Sequence, residues 1–102
     1  MTGTTITSAE VDARRRRLLF RAWHRGMREM DLLLGSYIDA HIVAWSDDEV
    51  SAFEHLMDVQ DQMLLGWFVG REPVPEPYDT PLWRDMVRFH SGRAIAEGLY
   101  DL

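Results

Sequence analysis

The apolar residues of this chain recur every three or four positions in five separate stretches, which is the spacing of one face of an α-helix. No stretch shows the strict alternation of apolar and polar residues that is typical of a half-buried strand. With 102 residues, the chain is large enough for one modest core and too small for two. The sequence therefore predicts an all-α fold, a compact bundle of five short helices.

Capping signals set the predicted starts of the helices. Thr7 with Glu10 and Ser46 with Glu49 form capping boxes, in which a side chain at each position binds a backbone N–H of the other. In chain order, the predicted helices are about 8–23, about 27–43, a helix from residue 47, a helical stretch around 63–68, and about 81–96. We expect a single domain at 8–97 between a flexible N-terminal tail, 1–7, and a C-terminal tail, 98–102.

The second half of the chain carries the signals that break helices. Acidic residues at 58 and 61 predict a break between the third and fourth helices, with one continuous helix as the alternative. Gly70 is a predicted helix stop, and the prolines that follow it predict extended backbone over 71–79. Thr80 before Pro81 predicts the start of the last helix, because it places a cap and a first-turn proline in their preferred order.

Neither the aromatic residues nor the histidines form a recognisable site. Each tryptophan lies in or beside an apolar helical stripe, which favours core packing over stacking on a ligand. The histidines lack metal-ligand spacing, so partly buried packing is the simpler interpretation. The sequence has no cysteine, no glycine-rich phosphate loop and no nucleophile motif. We therefore expect no metal site and no catalytic residue.

The compartment is predicted from what the sequence lacks. No apolar run approaches the roughly 20 residues that are needed to span a bilayer, so we expect no direct membrane insertion. The first residues also lack the hydrophobic stretch of a secretory signal. Together with the absence of cysteine, these features favour a cytoplasmic protein.

Positive charge is concentrated in one segment. Residues 14–28 hold seven of the eleven arginines and no acidic residue, which divides the net charge of −6 into +7 and −13. A one-sided distribution of this kind predicts steering of a partner. However, the four consecutive arginines from Arg14 to Arg17 spread around a helix at about 100° per residue, so they do not form a single face. A solvated basic helix that balances an acidic body is the alternative interpretation.

The predicted corner between the first two helices reads Arg25-Gly26-Met27-Arg28-Glu29-Met30-Asp31. A folding role would make Gly26 the N-cap of the second helix and Glu29 the residue that reaches back to its N–H. That role does not explain Arg25 and Arg28, which we expect to project from the corner and offer planar donors to a carboxylate or phosphate. The residues alone therefore support both folding and recognition.

These seven residues resemble the Arg-Gly-x-x-Glu signature of the succinate dehydrogenase flavinylation-factor family. Residues 17–24 resemble the family's first helix, and 46–49 resemble the start of its third. Asp61 with Leu64 and Trp67, followed by a glycine and a proline-containing loop, resembles its fourth segment. The resemblance extends from about residue 14 to 95.

The resemblance implies an assembly factor without a substrate of its own. Members of this family bind the flavoprotein subunit of succinate dehydrogenase, and in bacteria sometimes fumarate reductase, and promote covalent attachment of FAD to a histidine of that subunit. The factor itself would hold no cofactor stably, and we expect a monomer. Carried over to this chain, the family's functional surface comprises Arg25, Gly26 and Glu29, with Arg28 and Asp31 beside them and Arg17 and Arg21 extending it.

Two other classes of function compete with this one. The first is a small helical regulator, either antitoxin-like through protein contacts or nucleic-acid-binding through the arginine run. Neither helix-turn-helix spacing nor an aromatic platform supports the binding of nucleic acid, so we expect none. The second is a small catalytic domain that uses Glu29 and Arg28, for which the sequence has no pocket-forming motif.

Overall fold

The computed structural model describes residue 6 and residues 11–97, and in the last helix the side chains up to residue 91. This part of the chain contains five α-helices and no strand, which confirms the predicted fold class. The helices are α1 (Ala13–Trp23), α2 (Arg28–His41), α3 (Asp47–Met57), α4 (Asp61–Phe68) and α5 (Pro81–Glu97). Single turns of 3-10 helix follow α2 at Ile42–Ala44 and precede α5 at Glu76–Tyr78.

Three of the predicted boundaries are confirmed. Ser46 and Glu49 form the complete capping box at the start of α3, and the Thr80 hydroxyl accepts a bond of 3.2 Å from the Trp83 N–H at the start of α5. The chain also breaks between α3 and α4, as predicted. Local side-chain chemistry sets these boundaries, which is why the sequence reveals them.

The predicted start of the first helix is wrong. Residues 11 and 12 are not helical, and α1 begins at Ala13. Asp12 is the N-cap, because its carboxylate accepts a bond of 2.9 Å from the Arg15 N–H while its own backbone remains extended. The predicted capping box at Thr7 and Glu10 lies outside the described residues.

The loop after α4 is only partly extended. Gly70 has a φ of +77°, as expected of a helix stop, and the Gly66 carbonyl accepts from the Arg71 N–H at 2.9 Å. Extended backbone was expected throughout 71–79, but residues 76–78 form a 3-10 turn, because the fixed φ of proline suits either conformation. That turn places Tyr78 in a parallel stack on His55, with the ring centroids 4.7 Å apart. The predicted C-terminal tail, 98–102, lies outside the described residues.

One core is shared by all five helices. Its largest fully buried side chains include Tyr37 and Phe53, and all four tryptophans are buried, which confirms core packing for Trp23, Trp45, Trp67 and Trp83. Among the pairs of helices, α1 and α2 have the most extensive contact. The corner joins these two helices directly.

The prediction for the histidines holds for two of the four. His90 is buried and donates a bond of 2.6 Å to the Leu33 carbonyl, and His41 is half-buried. In contrast, His24, which follows α1, and His55, which is in α3, are exposed, and each is stacked on an aromatic ring, Phe20 and Tyr78 respectively. Within the described residues, no helix is both long and apolar enough to cross a membrane.

Candidate functional site

The corner between α1 and α2 depends on glycine at position 26. Gly26 has a φ of +94°, a backbone conformation that L-amino acids with side chains rarely adopt. Apart from its two chain neighbours, no described residue has a heavy atom within 4 Å of a Cβ placed on Gly26, so a side chain there would project away from the described part of the protein. The glycine is therefore required by the backbone, and its outer surface is accessible to another molecule.

Asp31, and not Glu29, closes this corner. One carboxylate oxygen of Asp31 accepts a bond of 2.6 Å from the Arg25 N–H. The N-cap of α2 is Met27, so the folding alternative, in which Gly26 caps the helix together with Glu29, is wrong. The positive φ of Gly26 turns the chain one residue before the cap, and this places Glu29 at the second helical position with its side chain exposed.

Arg25 points into the protein. Its Nε donates to the Asp61 carboxylate at 2.7 Å and its Nη1 donates to the Met57 carbonyl at 2.6 Å. Its Nη2 donates to the Val59 carbonyl. Because the carbonyls at the end of a helix lack partners within the helix, this guanidinium completes the C-terminus of α3. The expectation that Arg25 projects from the corner is wrong, although its assignment to partner binding stays a prediction.

Arg28 and Glu29 are the outward-facing charges of the corner. Both are exposed, and neither forms an ion pair or a side-chain hydrogen bond with any described residue. With Gly26, they form the part of the signature that faces solvent. The seven-residue signature thus divides into an inner pair, Arg25 and Asp31, and this outer group, which we call the outer corner.

The arginines of α1 are largely paired with acidic residues of the chain itself. The Arg14 guanidinium contacts Glu54 of α3 through two nitrogens, at 2.7 and 3.1 Å. Arg15 pairs with Asp12 and Asp47, at 2.8 and 3.0 Å. The alternative in which the basic helix balances the acidic body therefore describes the structure better than the steering interpretation does.

The two α1 residues predicted to extend the site differ in their contacts. Arg21 pairs with Asp58 at 3.2 Å, and its side chain remains 46% exposed. Arg17 is exposed and forms no ion pair or side-chain hydrogen bond with the described residues. Arg17 is therefore free to bind a partner. The Arg21 guanidinium would have to divide its hydrogen bonds between Asp58 and a partner.

The ion pairs of α1 shift the pKa values of the groups that form them. The side-chain hydrogen bond from Arg14 lowers the pKa of Glu54 below its ordinary value, and the same bond raises the pKa of Arg14. At the start of α1, the backbone hydrogen bond from Arg15 lowers the pKa of the Asp12 carboxyl. These groups remain charged at neutral pH.

The structure also contains a polar cluster that the sequence did not indicate. At the end of α2 remote from the corner, the Tyr37 hydroxyl donates to Asp85 of α5 at 2.6 Å. His41 lies beside them, with its Nε2 3.8 Å from the same carboxylate oxygen. Burial, followed by this hydrogen bond, raises the pKa of Tyr37. No local pattern could reveal a contact between residues 48 positions apart.

One cavity lies beside the corner, between α1 and the residues that precede it. It has a volume of about 260 Å³ and is lined by Ile6, Val11, Arg16, Leu19, Phe20, Trp23 and His24. That volume is below the range of about 300–1,000 Å³ that is typical of small-molecule sites. The described residues include no group of three histidine or acidic side chains that is arranged to hold a metal ion.

Comparison with known proteins gives a family match to most of the chain. Residues 16–90 match the family model described as flavinator of succinate dehydrogenase. Over 82 residues, the chain is 43% identical to a protein named FAD assembly factor SdhE from Acetobacter pasteurianus, covering 80% of this chain and 75% of that one. No solved structure matches the chain.

Mitochondrial proteins show the same likeness at lower identity. The chain is 29% identical over 82 residues to succinate dehydrogenase assembly factor 2 of Dictyostelium discoideum, covering 80% of this chain and 57% of that protein. It is 30% identical over 76 residues to assembly factor 2-A of Drosophila yakuba, covering 72% of this chain and 47% of the other. The chain thus spans about half the length of these mitochondrial relatives.

Proposed function

The chain belongs to the family of flavinators of succinate dehydrogenase, and we propose that it promotes covalent attachment of FAD to the flavoprotein subunit of that enzyme. The similar bacterial protein is named as an FAD assembly factor, and the mitochondrial ones as succinate dehydrogenase assembly factors. We propose the flavoprotein subunit of fumarate reductase as a second partner, because it would offer a similar target.

The factor would act by binding and not by catalysis of its own. In the flavoprotein, a histidine nitrogen replaces one hydrogen of the flavin methyl group, and the flavin ring takes up the two electrons and two protons that are released, so the reacting groups belong to the partner and its FAD. A protein that holds the subunit with these two groups in contact lowers the barrier through positioning alone. The chain therefore needs a surface for the flavoprotein and no stable FAD site, and we propose that it works as a monomer in the cytoplasm.

The outer corner is the observation that supports this proposal. Most arginines of the basic segment are paired with acids of the same chain, whereas Arg28 and Glu29 are exposed without a partner among the described residues. Between Arg25 and these charges lies Gly26, and no described residue beyond its chain neighbours comes within 4 Å of a Cβ placed on it. A partner backbone could approach closely there and meet a planar donor and a carboxylate. We propose that Arg17 and Arg21 extend this surface along α1.

Substitution of Gly26 tests the surface directly. Gly26→Arg should leave a folded protein that no longer supports labelling, because the new side chain would occupy the space of the partner's backbone. The test is co-expression with the flavoprotein subunit in a strain that lacks the factor, followed by flavin fluorescence on a denaturing gel. Labelling that is unchanged when the factor is omitted would refute the function.

Gly70→Arg is the matched control for this substitution. Gly70 also has a positive φ, +77°, and no described residue beyond its chain neighbours has a heavy atom within 4 Å of a Cβ placed on it. Both variants thus place a side chain at a positive φ and add the same charge. Labelling should persist with Gly70→Arg and be lost with Gly26→Arg, and equal labelling by both would refute the site.

Glu29→Ala tests the charged part of the outer corner. Loss of a contact made only with the partner should reduce labelling at limiting factor concentration by about tenfold or more, as truncation of an interface hot spot does. Glu72→Ala, which removes an exposed carboxylate from the loop after α4, serves as the control and should label normally. Normal labelling by Glu29→Ala would remove Glu29 from the site.

A further inference from the structure

The side chain of Arg25 joins the corner to the segment between α3 and α4. Its three nitrogens each donate to an acceptor, namely the Asp61 carboxylate and the carbonyls of Met57 and Val59. Asp61 is the first residue of α4 and lies 36 positions from Arg25 in the chain. We call this set of contacts the Arg25 clamp.

The clamp is better shielded from solvent than the other ion pairs. The side chains of Arg25 and Asp61 are 11% and 17% exposed, whereas both members of the Arg14–Glu54 pair are 34% exposed. Exposed ion pairs contribute little, but removal of one member of a shielded pair leaves an uncompensated charge. Asp61 is the only carboxylate within ion-pair distance of Arg25 among the described residues, so loss of its charge would leave that shielded guanidinium without a compensating charge and weaken the clamp.

The clamp and Asp31 both fix the position of Arg25. Asp31 of α2 binds the Arg25 backbone N–H, while the clamp binds its side chain. Gly26 follows directly, with its φ of +94°, and α2 begins two residues later. The direction in which the outer corner faces is therefore set by contacts made at Arg25.

We propose that Asp61 is a positioning residue of the partner-binding surface. Through Arg25, it holds the outer corner in the geometry that the flavoprotein meets, although its own carboxylate faces inward and makes no contact with the partner. A surface that is ordered before binding loses less conformational freedom when the complex forms, and affinity increases accordingly. This inference rests on the proposed function.

The variant Asp61→Asn tests the inference, and Glu54→Gln is its matched control. Both changes replace a carboxylate by its amide in an arginine pair, but only the first pair holds the corner. The measurement is the rate of covalent labelling of purified flavoprotein subunit with FAD, as a function of factor concentration. Asp61→Asn should raise the half-saturating concentration by about tenfold with the maximal rate retained, whereas Glu54→Gln should change it by less than about twofold.

A double-mutant cycle separates positioning from a general loss of stability. If Asp61 acts through the outer corner, Asp61→Asn should add less than about twofold to the defect of Glu29→Ala, because both changes remove the same contact. Defects that multiply would overturn the inference. Urea titrations give the folded fraction of each variant. If Asp61→Asn is not folded, Arg25→Lys, which keeps the charge and loses the planar fork, replaces it in the cycle.

The possible outcomes distinguish the two proposals. Absence of labelling by the wild-type factor would refute the proposed function, and the inference with it. Normal labelling by the wild type, combined with equal behaviour of Asp61→Asn and Glu54→Gln, would refute the inference alone.

Discussion

Gly35 lies inside α2 at the point where the indole ring of Trp23 crosses the helix. A Cβ placed on Gly35 would overlap the six-membered ring of that indole. The ring cannot easily move aside, because Trp23 is buried and its Nε1 donates to Asp39 at 3.0 Å. The close approach of α1 and α2 therefore depends on the absence of a single methyl group.

Gly35→Ala should destabilise the protein. Alanine in a helix interior normally gains up to about 1 kcal/mol over glycine. Here we expect a net loss of about 1–3 kcal/mol in the free energy of unfolding, because the added methyl overpacks a buried contact. Urea unfolding followed by circular dichroism measures the difference.

Gly66→Ala is the control for this prediction. Gly66 is also buried in a helix, but the nearest atom to its added Cβ is the Arg71 Nη2 at 3.4 Å, at the end of a flexible side chain. The free energy of unfolding of the Gly66→Ala variant should be equal to or higher than that of the wild type. A gain in stability for Gly35→Ala as well would contradict the packing described for Trp23.

At the start of α2, one acidic residue stabilises the helix and another is free to bind a partner. Asp31 bonds to the Arg25 N–H across the corner, and its charge suits the positive end of the helix. Glu29 has the same advantage of charge, but its side chain makes no hydrogen bond with the described residues. The folding alternative gave Glu29 a capping role, because three-residue spacing from Gly26 is the capping-box pattern.

Removal of the Asp31 carboxylate and removal of the Glu29 carboxylate should therefore have different effects on the free energy of unfolding. Asp31→Ala should lower the free energy of unfolding by about 1 kcal/mol, since it leaves a corner N–H without its partner. Glu29→Ala should change it by less than about 0.5 kcal/mol, as for an exposed residue without contacts. Thermal unfolding of both variants provides the test, and the opposite order would restore Glu29 as the cap.

The contact between α2 and α5 should respond to alkaline pH. The pKa of Tyr37 is raised above its ordinary value of 10.0 by burial and by the hydrogen bond to Asp85. The stabilisation is therefore complete below about pH 10 and is lost as pH rises towards the folded-state pKa, because the unfolded chain ionises first. The free energy of unfolding should fall by up to about 1.4 kcal/mol per pH unit in that range.

Tyr37→Phe should remove much of this slope, since phenylalanine has no proton to lose. The measurement is urea unfolding of both proteins at several values between about pH 8 and pH 11, a range that brackets the ordinary tyrosine pKa. An equal slope in the wild type and the variant would show that Tyr37 does not control the alkaline response.

Across the whole molecule, positive charge on α1 and the corner lies against negative charge on α3 and α4. Four arginines of the basic segment pair with acids of α3, of α4 or of the segment between them, in the pairs Arg14–Glu54, Arg15–Asp47, Arg21–Asp58 and Arg25–Asp61. The sequence showed the imbalance between segments and left open whether folding would cancel it. The surface left for a partner is consequently small and local.

Acid should weaken this arrangement. The pKa values of Glu54 and Asp12 are lowered from 4.5 and 3.8 by their bonds to Arg14 and Arg15. A lowered folded-state pKa gives stability that is present above the unfolded-state value and is lost as pH falls through the folded-state pKa. The free energy of unfolding should thus decline below about pH 4.5, with a smaller slope in Glu54→Gln. An unchanged slope would contradict the role of this pair.

Sequence reasoning succeeded where a local pattern carries the information. Helical periodicity gave the five helices, and Ser46 and Thr80 marked two starts because a cap lies within three residues of its target. It failed where the decisive contact is distant in the chain. The inward course of Arg25 depends on Asp61, and the role of Gly35 depends on Trp23, and neither partner can be identified before the helices are assembled.

The burial of all four tryptophans has a practical consequence for spectroscopy. Trp23, Trp45, Trp67 and Trp83 are each less than 10% exposed. Intrinsic tryptophan emission from the isolated factor should therefore report unfolding with high sensitivity. For the binding of a partner at the outer corner, a fluorophore attached near the exposed Arg28 would be the more direct probe.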